Sequence, residues 1–163
     1  MRPSLQVVVD LGFGDCGKGL VTDWLCRPSP AETLVIRWGG GHQVGHTVHA
    51  DLPGLGSRSH TFSNFGSGTL QGCKTWYGED TVVFFPAIAA EAGALKEKGC
   101  PAPFNWLHPR TMVCTPWDIA WNRVTERRRG HGSCGVGFGA TVERHLAGMS
   151  LRERAQACGC LTG

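Results

Sequence analysis

The residues of this chain best placed to do chemistry sit in the run Gly12-Phe13-Gly14-Asp15-Cys16-Gly17-Lys18-Gly19. Backbone N–H groups of such a glycine loop, together with the N-terminus of a following helix, make a site for phosphate. The spacing fits G-x-x-x-x-G-K, except that Gly19 stands where Ser or Thr would offer a hydroxyl to magnesium. Asp15 can supply that oxygen instead, and can also take a proton. A second cluster, Arg37-Trp38-Gly39-Gly40-Gly41-His42-Gln43-Val44-Gly45-His46-Thr47, holds His46 behind a flexible backbone, a place for an acid or hydrogen-bond donor facing a phosphoryl group. His42, His46 and His49 also fall at spacings a zinc site uses, although no carboxylate or cysteine beside them completes a set. The third cluster, Gly130 to Gly139, offers Ser133 to a phosphate, and a tight turn packed on another element would have the same composition. Cys16 beside Lys18 has the surroundings of an activated thiol, but no neighbouring histidine serves it as a base. The serines of Phe62-Ser63-Asn64-Phe65-Gly66-Ser67-Gly68 read as turn chemistry.

These loops need elements to hold them, and the order along the chain alternates strand with helix, the pattern of an α/β layer fold. The apolar run Val7-Val8-Val9 predicts a buried strand before the first loop, and residues 17–26 a helix after it. Thr33 to Arg37 predicts a second buried strand. Val48 to Asp51 and His60 to Phe62 predict short strands around a polar excursion, and Thr81 to Phe85 a further strand. Pro86 to Lys98 has the marks of a helix, with proline at its first position and Gly99 beyond its last turn. Asn105 to Leu107 and Met112 to Cys114 read as strand material. Thr115 with Asp118 makes a capping-box start for a helix that Gly130 ends, and Ser150 to Ala157 is an amphipathic piece.

Composition bounds the function classes. The chain has 163 residues, enough for one domain with a real core, and 24 of them are glycine. The net charge is +3, and the densest basic run, Arg127-Arg128-Arg129, suits a solvated helix end more than a nucleic-acid surface. Eight cysteines without a CxxC pair suggest free thiols in a reducing cytoplasm, and no apolar stretch is long enough for a membrane span.

Together the three clusters resemble adenylosuccinate synthetase. Gly14-Asp15-Cys16-Gly17-Lys18-Gly19 looks like that family's W-G-D-E-G-K-G, and Gly40 to Thr47 like its G-G-H-N-A-G-H-T, preceded by the matching Arg37. Ser133 to Gly139 looks like its T-T-G-R-G-I-G, with Glu143 matching the following glutamate. The resemblance implies an α/β, P-loop-like nucleotide-binding fold with a mostly parallel central sheet flanked by helices, incomplete relative to the family. Residues 1–150 would be its N-terminal nucleotide- and IMP-binding part, and residues 151–163 a divergent tail.

The family joins IMP to L-aspartate with GTP and magnesium, on the way to AMP. By resemblance Asp15, Lys18 and His46 are the catalytic residues. Asp15 would take the purine N1 proton, Lys18 would neutralise the transferred phosphoryl group, and His46 would stabilise it. GTP would lie on Gly14, Asp15, Cys16, Gly17, Lys18, Gly19 and Leu20, and on Gly45, His46 and Thr47. IMP would face Asp15, Lys18, Gln43, Val44, Gly45, His46, Ser133 and Cys134. Magnesium would sit on Asp15 and the Gly45 carbonyl.

The chain departs from the pattern where Cys16 replaces glutamate, Gln43 asparagine, Cys134 threonine and Val136 arginine. The last change removes a cation from the phosphate side. The resemblance covers only the family's N-terminal part, so a homodimer, a complementing chain or a non-catalytic nucleotide-binding fragment all remain open. A dGMP-using 2-aminoadenylosuccinate synthetase is a further alternative, against which the loop aspartate Asp15 speaks.

Overall fold

The computed structural model describes residues 4–12, 14, 16–52, 54, 56–100, 103, 105–130 and 132–159. Phe13 and the expected catalytic Asp15 lie outside the described residues. The first helix, α1 (Lys18–Cys26), starts at Gly17, whose φ of 75° is left-handed. The only residue type that takes this conformation at no steric cost is glycine, so the loop can turn straight into the helix.

Strand β1 (Leu34–Arg37) follows, then an antiparallel hairpin of β2 (His46–Leu52) and β3 (Gly56–Phe62). β4 (Lys74–Tyr77) lies between β1 and β6 (Asn105–Leu107) in a parallel three-stranded sheet of order β1-β4-β6. β5 (Val82–Val83) and β7 (Met112–Val113) pair in parallel further on. Gly78 N–H donates to the Arg37 carbonyl at 2.9 Å and Val82 N–H to the Gly40 carbonyl at 2.8 Å, so the two sheets continue one another across a bend. Helices α2 (Phe85–Glu97), α3 (Pro116–Arg129), α4 (Phe138–Leu146) and α5 (Leu151–Ala157) complete the architecture. The fold is therefore the α/β class expected, with parallel strands flanked by helices.

The hairpin is amphipathic at period two: Val48, Ala50 and Leu52 point inward with Phe62. They form one apolar cluster with Phe65, Leu70, Leu95 and Cys100, against which Ile88 and Ala92 of α2 pack. A second packed region joins α3, α4 and α5. Its centre is polar: the buried Asp118 takes hydrogen bonds from Arg144 Nε at 2.9 Å and Nη2 at 3.0 Å, and Arg154 Nε lies 3.6 Å away. The amphipathic piece expected over 150–157 is this region's last helix, with Arg154 and Ala155 buried.

Several expectations needed correction. Val7, Val8 and Val9 form no strand; Val7 is 73% exposed and Val9 66%. Strand propensity is satisfied only by pairing and burial, and among the described residues no strand pairs with this segment. The strand expected over 81–85 shrinks to Val82–Val83, because Phe84 already caps α2 and Pro86 sits in its first turn. The polar excursion before Ser59 is largely strand: β3 begins at Gly56.

One face of the three-stranded sheet carries no helix among the described residues. Ile36, Trp76 and Trp106 stand in register across β1, β4 and β6, and are 48%, 39% and 43% exposed. Parallel sheets ordinarily bury both faces. Among the described residues no helix is long and apolar enough to cross a membrane.

Candidate functional site

The three glycine-rich segments meet at adjoining surfaces. Gly19, in the first turn of α1, packs so closely on β2 that a Cβ there would lie 2.8 Å from the Cβ of His46 and 3.2 Å from Ser67 Oγ. Gly41 is equally tight against Phe138 at the start of α4, where a Cβ would stand 2.7 Å from the ring. The Val136 carbonyl faces the His42 ring. The first cluster therefore touches the second, and the second the third.

The α1 N-terminus has no side-chain cap and no acidic residue in its first turn, which leaves its N–H groups for an anion. Gly14, Cys16, Gln43, Gly45 and Thr47 are exposed, while Gly17, Lys18, Val44 and His46 are half-buried and Leu20 is 51% exposed. The Thr47 hydroxyl is held by Thr61 across the hairpin at 2.9 Å. Burial, reinforced by the Arg37 and Lys18 cations, pushes His46 below the ordinary histidine range. At neutral pH it is an uncharged imidazole that can donate one hydrogen bond.

Lys18 reaches back to Asp10, with which it forms an ion pair. Asp10 also accepts from Gly12 N–H at 3.2 Å. The Cys16 thiol, Lys18 and Gly12 together pull the Asp10 carboxyl down to about 2. The same carboxylate, with burial, pushes the Cys16 thiol up, and Cys16 Sγ donates to the Gly14 carbonyl at 3.0 Å. Cys16 therefore lacks the low thiol pKa of a nucleophile, against the activated-thiol reading.

The third loop is shaped from α3. Asn122 Nδ2 donates to Ser133 Oγ at 3.1 Å while Asn122 Oδ1 accepts from Gly137 N–H at 3.0 Å, and Arg123 Nε donates to the Gly135 carbonyl at 3.3 Å. Ser133 and Cys134 are exposed. Gly137 repeats the device of Gly17, with φ of 86° at the N-cap of α4, and a Cβ there would lie 2.9 Å from the Ile119 nitrogen. Beside this loop lies a cavity of about 220 Å³ lined in part by Trp121, Thr125 and Glu143.

Arg37 and Glu91 carry the turn at 63–65, which sequence reading treated as local turn chemistry. Arg37 donates to the Ser63, Asn64 and Gly41 carbonyls. Glu91 accepts from the N–H groups of Ser63, Asn64 and Phe65 and from the Asn64 side-chain amide at 2.7 Å. The zinc reading fails on geometry. His42 stacks on Phe84 at 5.4 Å, His46 is half-buried, and His49 faces outward on β2. Among the described residues no trio of histidine, cysteine or carboxylate could share a metal ion.

The sequence model of the family described as "Adenylosuccinate synthetase" matches residues 7–155. The chain belongs to the adenylosuccinate synthetase family. The adenylosuccinate synthetase of Burkholderia mallei is 30% identical over 151 residues, covering 90% of this chain and 32% of its own length. That of Halothermothrix orenii is 31% identical, with 90% of this chain and 33% of its own length covered. This adenylosuccinate synthetase family member thus spans about a third of the curated relatives it matches. Among solved structures, succinoaminodeoxyadenylate synthetase of cyanophage S-2L, bound to dGMP and to dATP as an energy donor, superposes with a TM-score of 0.60 at 18% identity. The match covers 91% of this chain and 41% of the phage protein, and supports the fold.

Proposed function

We propose that this chain supplies the nucleotide-facing part of the active site of a GTP-dependent ligase that joins IMP to L-aspartate. The carrying observation is the abutment of Gly19 on His46, which brings the phosphate-type loop and the second glycine cluster to one surface. GTP phosphates lie along Gly14, Asp15, Cys16, Gly17, Lys18, Gly19 and Leu20, with Gly45, His46 and Thr47 on the far side. IMP contacts Gln43, Val44, Ser133 and Cys134, together with Asp15, Lys18, Gly45 and His46.

Asp15 takes the proton from purine N1 as O6 attacks the γ-phosphorus and GDP leaves. The aspartate amine then displaces phosphate from C6. Neutral His46 donates a hydrogen bond to the phosphoryl group, and Lys18 offsets its charge. The donors here suit a hard cation: the exposed Gly45 backbone offers a carbonyl oxygen and Asp15 a carboxylate, and magnesium ordinarily completes so small a protein set with water and substrate phosphates. Magnesium held there would neutralise phosphate charge.

The test is adenylosuccinate formation by the purified chain from IMP, aspartate and GTP, beside an Asp15→Asn variant. Turnover lost in the variant supports the proposal. Magnesium-dependent GTP binding without turnover supports the second reading, a nucleotide-binding part that needs further polypeptide; the one-third coverage of the relatives favours it. Absence of both overturns the site. Turnover with dGMP in place of IMP would assign the chain to the dGMP-using branch.

A further inference from the structure

The loop that should receive phosphate already holds an anion. Asp10 lies at its entrance, with a side chain only 16% exposed, and receives donors from both of its ends. Gly12 N–H reaches Oδ1 at 3.2 Å, and the Lys18 ammonium pairs with Oδ2 from the first turn of α1. Lys18 is the one cation in the glycine run, and its side chain is 33% exposed. A carboxylate that takes a backbone N–H and the loop lysine uses the donors by which such a loop binds phosphate.

We propose that Asp10 is an internal stand-in for phosphate, which an incoming nucleotide must displace to reach Lys18. This rests on the nucleotide-binding reading above and adds a control on its affinity. Two effects act in one direction. The Asp10 carboxylate engages the ammonium that would meet the phosphate, and its own charge repels a polyphosphate arriving beside it. The chain therefore binds nucleotide more weakly than its loop alone would allow. Asp10 is a gating residue here: on displacement it leaves Lys18 and swings toward solvent.

The isosteric variant Asp10→Asn keeps an oxygen for Gly12 N–H and removes the charge. GTP affinity, measured by calorimetry with and without magnesium, is expected to rise about fivefold in Asp10→Asn, the scale of one partly exposed ion pair. Lys18→Gln is expected to weaken binding in both backgrounds. A second readout needs no nucleotide: acetylation of the Lys18 amine, followed by mass spectrometry, is expected to quicken in Asp10→Asn because the ion pair no longer shields it.

Unchanged Lys18 acetylation overturns the pairing itself. Faster acetylation with GTP bound no more tightly than by the unaltered chain overturns the displacement. Weaker binding in Asp10→Asn, confined to magnesium-containing buffer, also overturns it, since Asp10 would then act as a cation ligand. If no variant binds GTP while acetylation quickens, the nucleotide-site reading fails and takes the displacement with it, although the ion pair stands.

Discussion

The turn at 63–65 and the sheet face carrying Ile36, Trp76 and Trp106 lie at opposite ends of a scale of completeness. In the turn, Glu91 and Arg37 satisfy the backbone from both sides: the carboxylate takes the N–H groups and the guanidinium takes the carbonyls. Across the sheet, Ile36, Trp76 and Trp106 stand in register and partly exposed, with Lys74 over the Trp106 ring and no helix over them among the described residues, and Leu5, Val7, Val9 and Leu11 are exposed before the first loop. A buried polar group left without a partner costs stability directly, whereas an exposed apolar face costs solubility before it costs the fold. The turn that holds Arg37 is thus tied down from both sides, whereas this sheet face stays partly exposed.

The comparison breaks most visibly at Glu91. Glu91→Ala leaves several buried N–H donors without an acceptor and is expected to cost about 3–5 kcal/mol, read from urea denaturation. A loss under about 1 kcal/mol would mean that water replaces the carboxylate freely. Gly137→Ala comes next. It forces a left-handed φ of 86° on alanine and drives its Cβ to 2.9 Å from the Ile119 nitrogen. About 1–3 kcal/mol should be lost, with the third loop displaced.

Acid sharpens the contrast more gently. His42, His46 and His60 are each held below the ordinary histidine range, chiefly by burial. The unfolded chain therefore binds more protons than the folded one once the pH falls below about 6.5. Their contribution is fully present above that value and is lost as pH drops toward the lower folded values. Urea midpoints should accordingly decline between pH 7.5 and 5.5; a flat profile would show that the buried rings titrate as in the unfolded chain. The smallest effect is expected on the partly exposed sheet face. Trp76→Lys should cost about 1 kcal/mol, the scale of its cross-strand pairs with Ile36 and Trp106, while lowering self-association in light scattering and the binding of apolar dyes.

What could be read in advance was whatever is encoded locally. Helix α3 is written in its own ends: Thr115 and Asp118 form the capping box, and Gly130 takes the left-handed position that stops it. The glycine loops were legible for the same reason. β4 was missed because its four residues lie just past a glycine turn, and only pairing on both sides makes Lys74–Tyr77 the middle strand. α4 was missed because its start, Phe138-Gly139, continues a glycine run. Val7 to Val9 misled in the opposite direction, since their β-branching promises a strand and none among the described residues pairs with them. Within the site, Lys18 and His46 were named from type and spacing. Asp10, Asn122 and Glu91 escaped because each acts on a residue that only folding brings to it.

The pairing of the strands also orders the steps by which the chain becomes structured. β2 and β3 meet through a tight hairpin, and α3, α4 and α5 follow one another closely in sequence. Leu34 must instead find Lys74, and Thr75 must find Asn105, across long intervening stretches of chain. Contacts so remote in sequence are slow to close. The hairpin and the helical trio are therefore expected to gain protection before the parallel sheet in pulsed hydrogen exchange, with the bend after β1 that carries the second glycine cluster following that last pairing.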